Sequence, residues 1–74
     1  MRIKLDNREK QLIHEYWYAA SKDMQAQLLN MRRKTIDIAY EELQDLVGYF
    51  IWQQSVTIVE VKNWLPSLMN YVID

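Results

Sequence analysis

Cysteine is absent from the 74 residues, and glycine, proline, histidine and phenylalanine occur once each. Without thiols the chain has no disulfide framework and no thiolate metal site, a composition that suits the reducing cytoplasm. One glycine leaves no Gly-rich loop to cradle a phosphate. The sole histidine, His14, has only Glu15 beside it and no HxxxH or HxxE pair, so neither a metal nor another cofactor is expected. Ser21, Ser55 and Ser67 all stand where a cap or turn residue is wanted, so no nucleophilic triad is expected either. Long apolar runs are also missing. The longest stretch without a charge, 46–59, has 14 residues and is interrupted by Gln53, Gln54 and Ser55. A membrane-spanning helix needs about 20 apolar residues, so a buried core segment is the expectation and no membrane contact is foreseen. The opening MRIKLDNREK has no apolar core of signal-peptide length and mixes both charges, so export is not expected.

What is present is apolar and aromatic. Half of the residues are hydrophobic, and nine are aromatic: five Tyr, three Trp and one Phe. A chain this short suits one domain over 1–74, burying about 60–65% of its unfolded surface. Large rings help such a small core, since each buries roughly 150–250 Å².

The formal charge of −1 is unevenly spread. Through Lys34 eight bases outnumber four acids, whereas from Thr35 onward Lys62 alone opposes six acids. Halves of opposite sign attract within one fold or across a dimer. The plainer alternative is two solvated surfaces that never meet, because exposed pairs contribute only ~0–1 kcal/mol.

Hydrophobic spacing predicts a small all-α bundle of four or five short helices. At about 100° per residue, Ile36, Ala39, Tyr40, Leu43, Leu46, Val47, Phe50 and Gln54 share one face of a central helix over 36–54. Tyr49 and Trp52 point away from that face, so the helix ends apolar nearly all round and needs a neighbour there. Ahead of it, Met1, Ile3 and Leu5 alternate with Arg2 and Lys4, an extended lead-in. Asp6 and Glu9 have capping-box spacing for a first helix from about Asn7, carrying Leu12, Ile13, Tyr16, Trp17, Ala19 and Ala20 on one side. His14 and Tyr18 fall on the other, where His14 reads as a solvent-facing residue.

Ser21 caps a second helix whose stripe is Met24, Leu28 and Met31, and Arg32, Arg33 and Lys34 end it where cations complement the helix dipole. A break near 34–36 separates it from the central helix. Thr57 and Glu60 again have capping-box spacing, for a fourth helix over 58–65, and Pro66 starts a final turn reaching Ile73. Because VTIVEV is rich in β-branched residues, a two-stranded pairing of 2–5 with 56–61, giving an α+β fold, is the alternative. Gly48 inside the central helix either admits a close neighbour or is incidental.

Glu41, Glu42 and Asp45 are the densest carboxylates. Paired acids catalyse when they line a dry cleft and merely solubilise when exposed on a helix, so no enzyme is expected unless a cleft surrounds them. Surplus aromatic surface remains: Tyr49 and Trp52, with Tyr18, Trp64 and Tyr71. Such rings dominate protein interfaces, although terminal segments of the chain can also cover them. The expected function is a non-catalytic adaptor or inhibitor, of the kind common in phage and mobile elements, that docks on a protein partner and self-associates as a dimer. The alternative is a small dimeric DNA-associated regulator using Arg32, Arg33 and Lys34. Against it stand a pI near 5.7 and a helix–turn–helix candidate around Pro66 and Ser67 whose recognition helix lacks any cation.

Overall fold

In the computed structural model, which describes residues 1–30 and 32–71, the chain forms a small, mostly α domain. Its elements run β1 (Arg2–Lys4), α1 (Asn7–Ile13), a 3-10 segment (His14–Ala19), α2 (Lys22–Leu28), β2 (Thr35–Asp37), α3 (Tyr40–Gln53), α4 (Ile58–Trp64) and α5 (Pro66–Met69).

The alternating lead-in does become a strand, but its partner is not 56–61. β1 pairs antiparallel with β2, matching Arg2 to Asp37, Ile3 to Ile36 and Lys4 to Thr35. The same register continues outward. Ile38 N–H donates to the Met1 carbonyl at 2.8 Å, and Leu5 N–H donates to the Lys34 carbonyl at 2.7 Å. Ile3, Leu5, Ile36 and Ile38 are buried on one face of this ribbon, while Arg2, Lys4 and Asp37 are exposed on the other. That alternation is what a strand with one covered face requires. The segment 56–61 instead leads into α4, because Thr57 and Glu60 close their capping box in both directions.

The central helix is accordingly shorter than its hydrophobic period suggests. It begins at Tyr40, with Ala39 as an N-cap that supplies no side-chain bond. Ile36 fits the helical stripe that continues through Ala39, Tyr40 and Leu43, but Ile36-Asp37-Ile38 also alternates with a period of two, and β1 decides between them by offering backbone partners. Leu43, Leu46, Val47 and Phe50 form the buried face of α3. Against them pack Ile13, Tyr16, Met24, Leu28, Val61, Leu65, Leu68 and Met69.

Asp6 and Glu9 cap α1 as their spacing predicts. The helix then tightens into the 3-10 segment, which buries Tyr16, half-buries Trp17 and leaves Tyr18 exposed. Ser21 caps α2 by accepting from the Met24 N–H at 3.2 Å. α2 ends at Leu28, so Arg32, Arg33 and Lys34 do not finish a helix; they occupy the turn that leads into β2. Met31, Val72 and Ile73, expected in the second stripe and the last turn, lie outside the described residues. Pro66 opens α5, where its missing N–H costs nothing.

Gln27 closes the outer edge of the ribbon. Its Nε2 donates to the Asp37 carbonyl and its Oε1 accepts from the Asp37 N–H, both at 2.6 Å. The carboxamide thus stands in for a third strand over one residue, which blunts an edge that would otherwise be open to other chains. Replacing Gln27 by Ala returns both Asp37 groups to water and is expected to cost about 1–2 kcal/mol for the two lost bonds, measured by urea denaturation.

Ser55, just past α3, sits at φ +55° in the left-handed region, where a helix usually places glycine. The Ser55→Gly variant is expected to be more stable by about 0.5–1 kcal/mol, since the left-handed penalty of a Cβ-bearing residue exceeds the added freedom of glycine in the unfolded chain. A melting temperature that falls would contradict this account of the turn.

Candidate interaction surface

α3 has two contrasting long sides. One is sewn to the 3-10 segment. The Glu42 carboxylate accepts from the Tyr16 hydroxyl at 2.9 Å, from the Ser21 N–H at 3.2 Å and from the Ser21 hydroxyl through a short bond. Tyr49 packs edge-on against Tyr16 and against Phe50, with ring centroids 5.6 Å apart in each case. Gln54 Nε2 donates to Glu15 at 2.6 Å, closing the C-terminal end of the same seam.

Burial raises the pKa of the Tyr16 hydroxyl, and its bond to Glu42 raises it further. For Glu42, burial acts upward, but the hydrogen bonds from Ser21 and Tyr16 outweigh it and hold the carboxyl below its usual value. Ser21 Oγ is already committed as the α2 cap, so this trio reads as a joint between elements. Glu41 and Asp45, the other two acids of the cluster, are exposed.

A second side of α3, about a quarter turn from the seam, carries Glu41, Gln44, Asp45 and Trp52 in the open, with the partly covered Gly48 among them. At about 100° per residue, Glu41, Asp45, Gly48 and Trp52 form one ridge pointing away from the buried face. Trp52 is 82% exposed. Its ring leans back along the helix over Gly48, where a Cβ would stand 3.9 Å from the Trp52 Cδ1. Since 3.9 Å is ordinary contact distance, nothing inside the chain obliges position 48 to be glycine.

The five aromatic residues expected at an interface therefore divide. Tyr18, at 96% exposure, and Trp52 stand in solvent, and Tyr71 is 42% exposed. Tyr49 and Trp64 are half-buried and pack on the core. Tyr49 does not share an outer face with Trp52, because the 3-10 segment walls off that flank of the helix. Among the described residues no ring pair joins Tyr18, Trp52, Trp64 or Tyr71 to one another.

The cations gather elsewhere. Asn30 shapes their turn: its side chain accepts from the Arg32 N–H and its carbonyl accepts from the Arg33 N–H, each at 3.2 Å. Arg32, Arg33 and Lys34 are all exposed. A cleft of about 420 Å³ runs between β1, α1, this turn and α5, lined by Lys4, Asp6, Glu9, Lys34 and Ser67 among others. Its signs are mixed. Glu9 is buried and fully engaged, accepting from the Asp6 N–H at 3.1 Å, the Ser67 N–H at 2.9 Å and the Ser67 hydroxyl at 2.8 Å. A second, smaller cleft brings Lys10, Arg33 and His14 together, and His14 is half-buried there, not solvent-facing.

Among the described residues no group of three or more His, Asp or Glu is placed to hold a metal ion. Among the same residues no helix is long and apolar enough to cross a membrane. No protein-family model, curated protein or solved structure matches the chain.

Sequence reasoning missed Glu42 and Glu9 as organising residues. For Glu9 the only signal was its capping spacing with Asp6, which uses a single carboxylate oxygen. For Glu42 there was no local signal, since its donors lie 21 and 26 positions away.

Because the folded pKa of Glu42 is depressed, its stabilisation is complete above the ordinary glutamate value near 4.5. It is lost as pH falls from there through the lower folded value. The Glu42→Gln variant is expected to lose about 1–2 kcal/mol at neutral pH. Its denaturation midpoint should also vary less between neutral and acid pH than that of the parent; parallel profiles would remove Glu42 from the acid limb.

Proposed function

We propose that this chain is a non-catalytic protein-interaction module, an adaptor or inhibitor acting in the cytoplasm, that docks through the outer ridge of α3 and also self-associates. The observation that carries the reading is Trp52, left in solvent on the longest helix among the described residues and directly opposite the core. Exposed tryptophan is unfavourable to leave wet, and it supplies large contact area with few torsions to freeze. Tyr18 adds a second exposed ring. Tyr71 is a weaker candidate, and Trp64 and Tyr49 contribute by stiffening the core beneath.

A second reading is a DNA-associated regulator using Arg32, Arg33 and Lys34. It is favoured by the exposure of all three on one hydrogen-bonded turn, with Lys4 and Lys10 lining the adjoining clefts. The acidic ridge of α3 disfavours it, because Glu41 and Asp45 repel phosphate. Salt separates the two: binding to duplex DNA falls by orders of magnitude between about 50 and 200 mM salt when several phosphates are contacted.

Trp52→Ala is expected to leave the circular dichroism spectrum intact and change stability by no more than about 0.5 kcal/mol, as suits an exposed position. Tyr49→Ala is expected to cost about 2–4 kcal/mol, because it removes a ring wedged between Tyr16 and Phe50. Analytical ultracentrifugation then reads the function: the Trp52 variant should associate more weakly while still folded. Unchanged association would remove the ridge from the interface.

A further inference from the structure

The ridge is acidic as well as aromatic, and that restricts what can cover it. Resting on the reading of this ridge as a docking face, we infer that its occupant is a second copy of the chain, which inserts its Arg32, Arg33 and Lys34 turn along Glu41, Asp45, Gly48 and Trp52. Ridge on ridge leaves the charge unanswered: packed parallel, Glu41 and Asp45 of one copy meet the same acids of the next, and packed antiparallel they face Gly48 and Trp52 with no cation to pair with. Nucleic acid is excluded from the ridge by the same charge. What fits is a cationic segment with planar side chains. A guanidinium stacks on an indole face and at the same time pairs with a carboxylate.

The dimensions agree. Along a helix rising 1.5 Å per residue, Asp45 and Trp52 are separated by roughly 10 Å, with Gly48 between them as a floor without a side chain. Arg32 and Arg33 are adjacent, exposed, and presented by a turn that Asn30 holds. One guanidinium can therefore cover the indole while its neighbour reaches Asp45 or Glu41. The exposed ion pair of Arg2 with Asp37 at 3.9 Å uses none of these residues. Each copy offers one ridge and one basic turn, so a two-fold arrangement makes the contact twice and closes on itself.

Charge exchange tests this directly. Sedimentation velocity is measured on the parent chain, on Glu41→Lys/Asp45→Lys, on Arg32→Glu/Arg33→Glu, and on an equimolar mixture of the two variants. All four positions are exposed, and circular dichroism verifies that each variant is folded. The parent should dimerise in dilute buffer, with a dissociation constant that rises roughly tenfold or more between about 50 and 500 mM salt as surface charges are screened. Each variant alone should be monomeric, since its ridge and turn now carry the same sign. The mixture should dimerise, because the mixed dimer keeps one contact as in the parent and makes the other with exchanged charge.

A parent that stays monomeric at low salt overturns the proposal, as do variants that still self-associate or a mixture that stays monomeric. A parallel titration with an oligo-arginine peptide follows the indole N–H resonance of Trp52, assigned from Trp52→Phe. A monomeric parent whose Trp52 signal nevertheless shifts with peptide means that the ridge docks a basic segment of another protein. The second-copy proposal then fails while the interaction reading stands. If the signal does not move and the parent is monomeric, both fail together.

Discussion

A buried carboxylate holds the two ends of this chain together. Glu9 is 1% exposed, and its oxygens take the N–H of Asp6, the N–H of Ser67 and the hydroxyl of Ser67. Burying a carboxylate without partners is prohibitively unfavourable, so the arrangement is all or nothing: Ser67 must be in place for Glu9 to be inside. The helices it joins need the help. α1 has seven residues and α5 has four, and helices of that length do not persist in water unaided. A stability of roughly 4–11 kcal/mol is usual for a domain of this size, so a single bonded cluster is a sizeable fraction of it.

Glu9 also explains how a mostly helical chain accommodates a two-stranded ribbon, which alone is marginally stable in water. β1 is anchored at one end by the α1 cap that Glu9 completes, and it also packs on α5. Its partner β2 is fastened at the far edge by the Gln27 carboxamide. The ribbon then lays Ile3, Leu5, Ile36 and Ile38 over the helices. Each fully buried aliphatic side chain is worth about 1.5–3 kcal/mol, which outweighs the exposed Arg2–Asp37 pair on the opposite face.

The parts of this fold that could be read from the sequence are those governed by near neighbours. Both capping boxes, the Ser21 cap and the Pro66 start depend on spacings of a few residues, and the buried face of α3 follows from a period running through 14 residues. What could not be read depends on distant partners. Ile36 and Ile38 join a strand because residues 1–5 lie alongside, whereas locally Ile36 also continues the helical stripe of α3. The 3-10 segment arises because Tyr16 must reach both Glu42 and Tyr49, a demand visible only once α3 is in place. For the candidate surface, the wheel identified Trp52 as an outward residue. It misplaced Tyr49, because the wall provided by the 3-10 segment leaves no trace in the local pattern.

That wall determines which side of α3 is left uncovered. Among the described residues α3 is the longest element, and two of its sides are occupied: one by the core, to which α4 and α5 contribute, and one by the Tyr16 and Ser21 seam. The remaining side could have been filled with solvating side chains throughout, which would have cost nothing in stability. Instead it places a tryptophan against a glycine, giving up both the helix preference of a larger residue and the burial of a large ring. Neither choice improves the folded monomer: a Cβ at position 48 fits at ordinary contact distance, and Trp52 touches too little to stabilise α3. Two local concessions stand on one ridge, flanked by carboxylates, with an exposed basic turn elsewhere on the molecule; the proposed association would compensate both, by covering the ring and bringing the charges together.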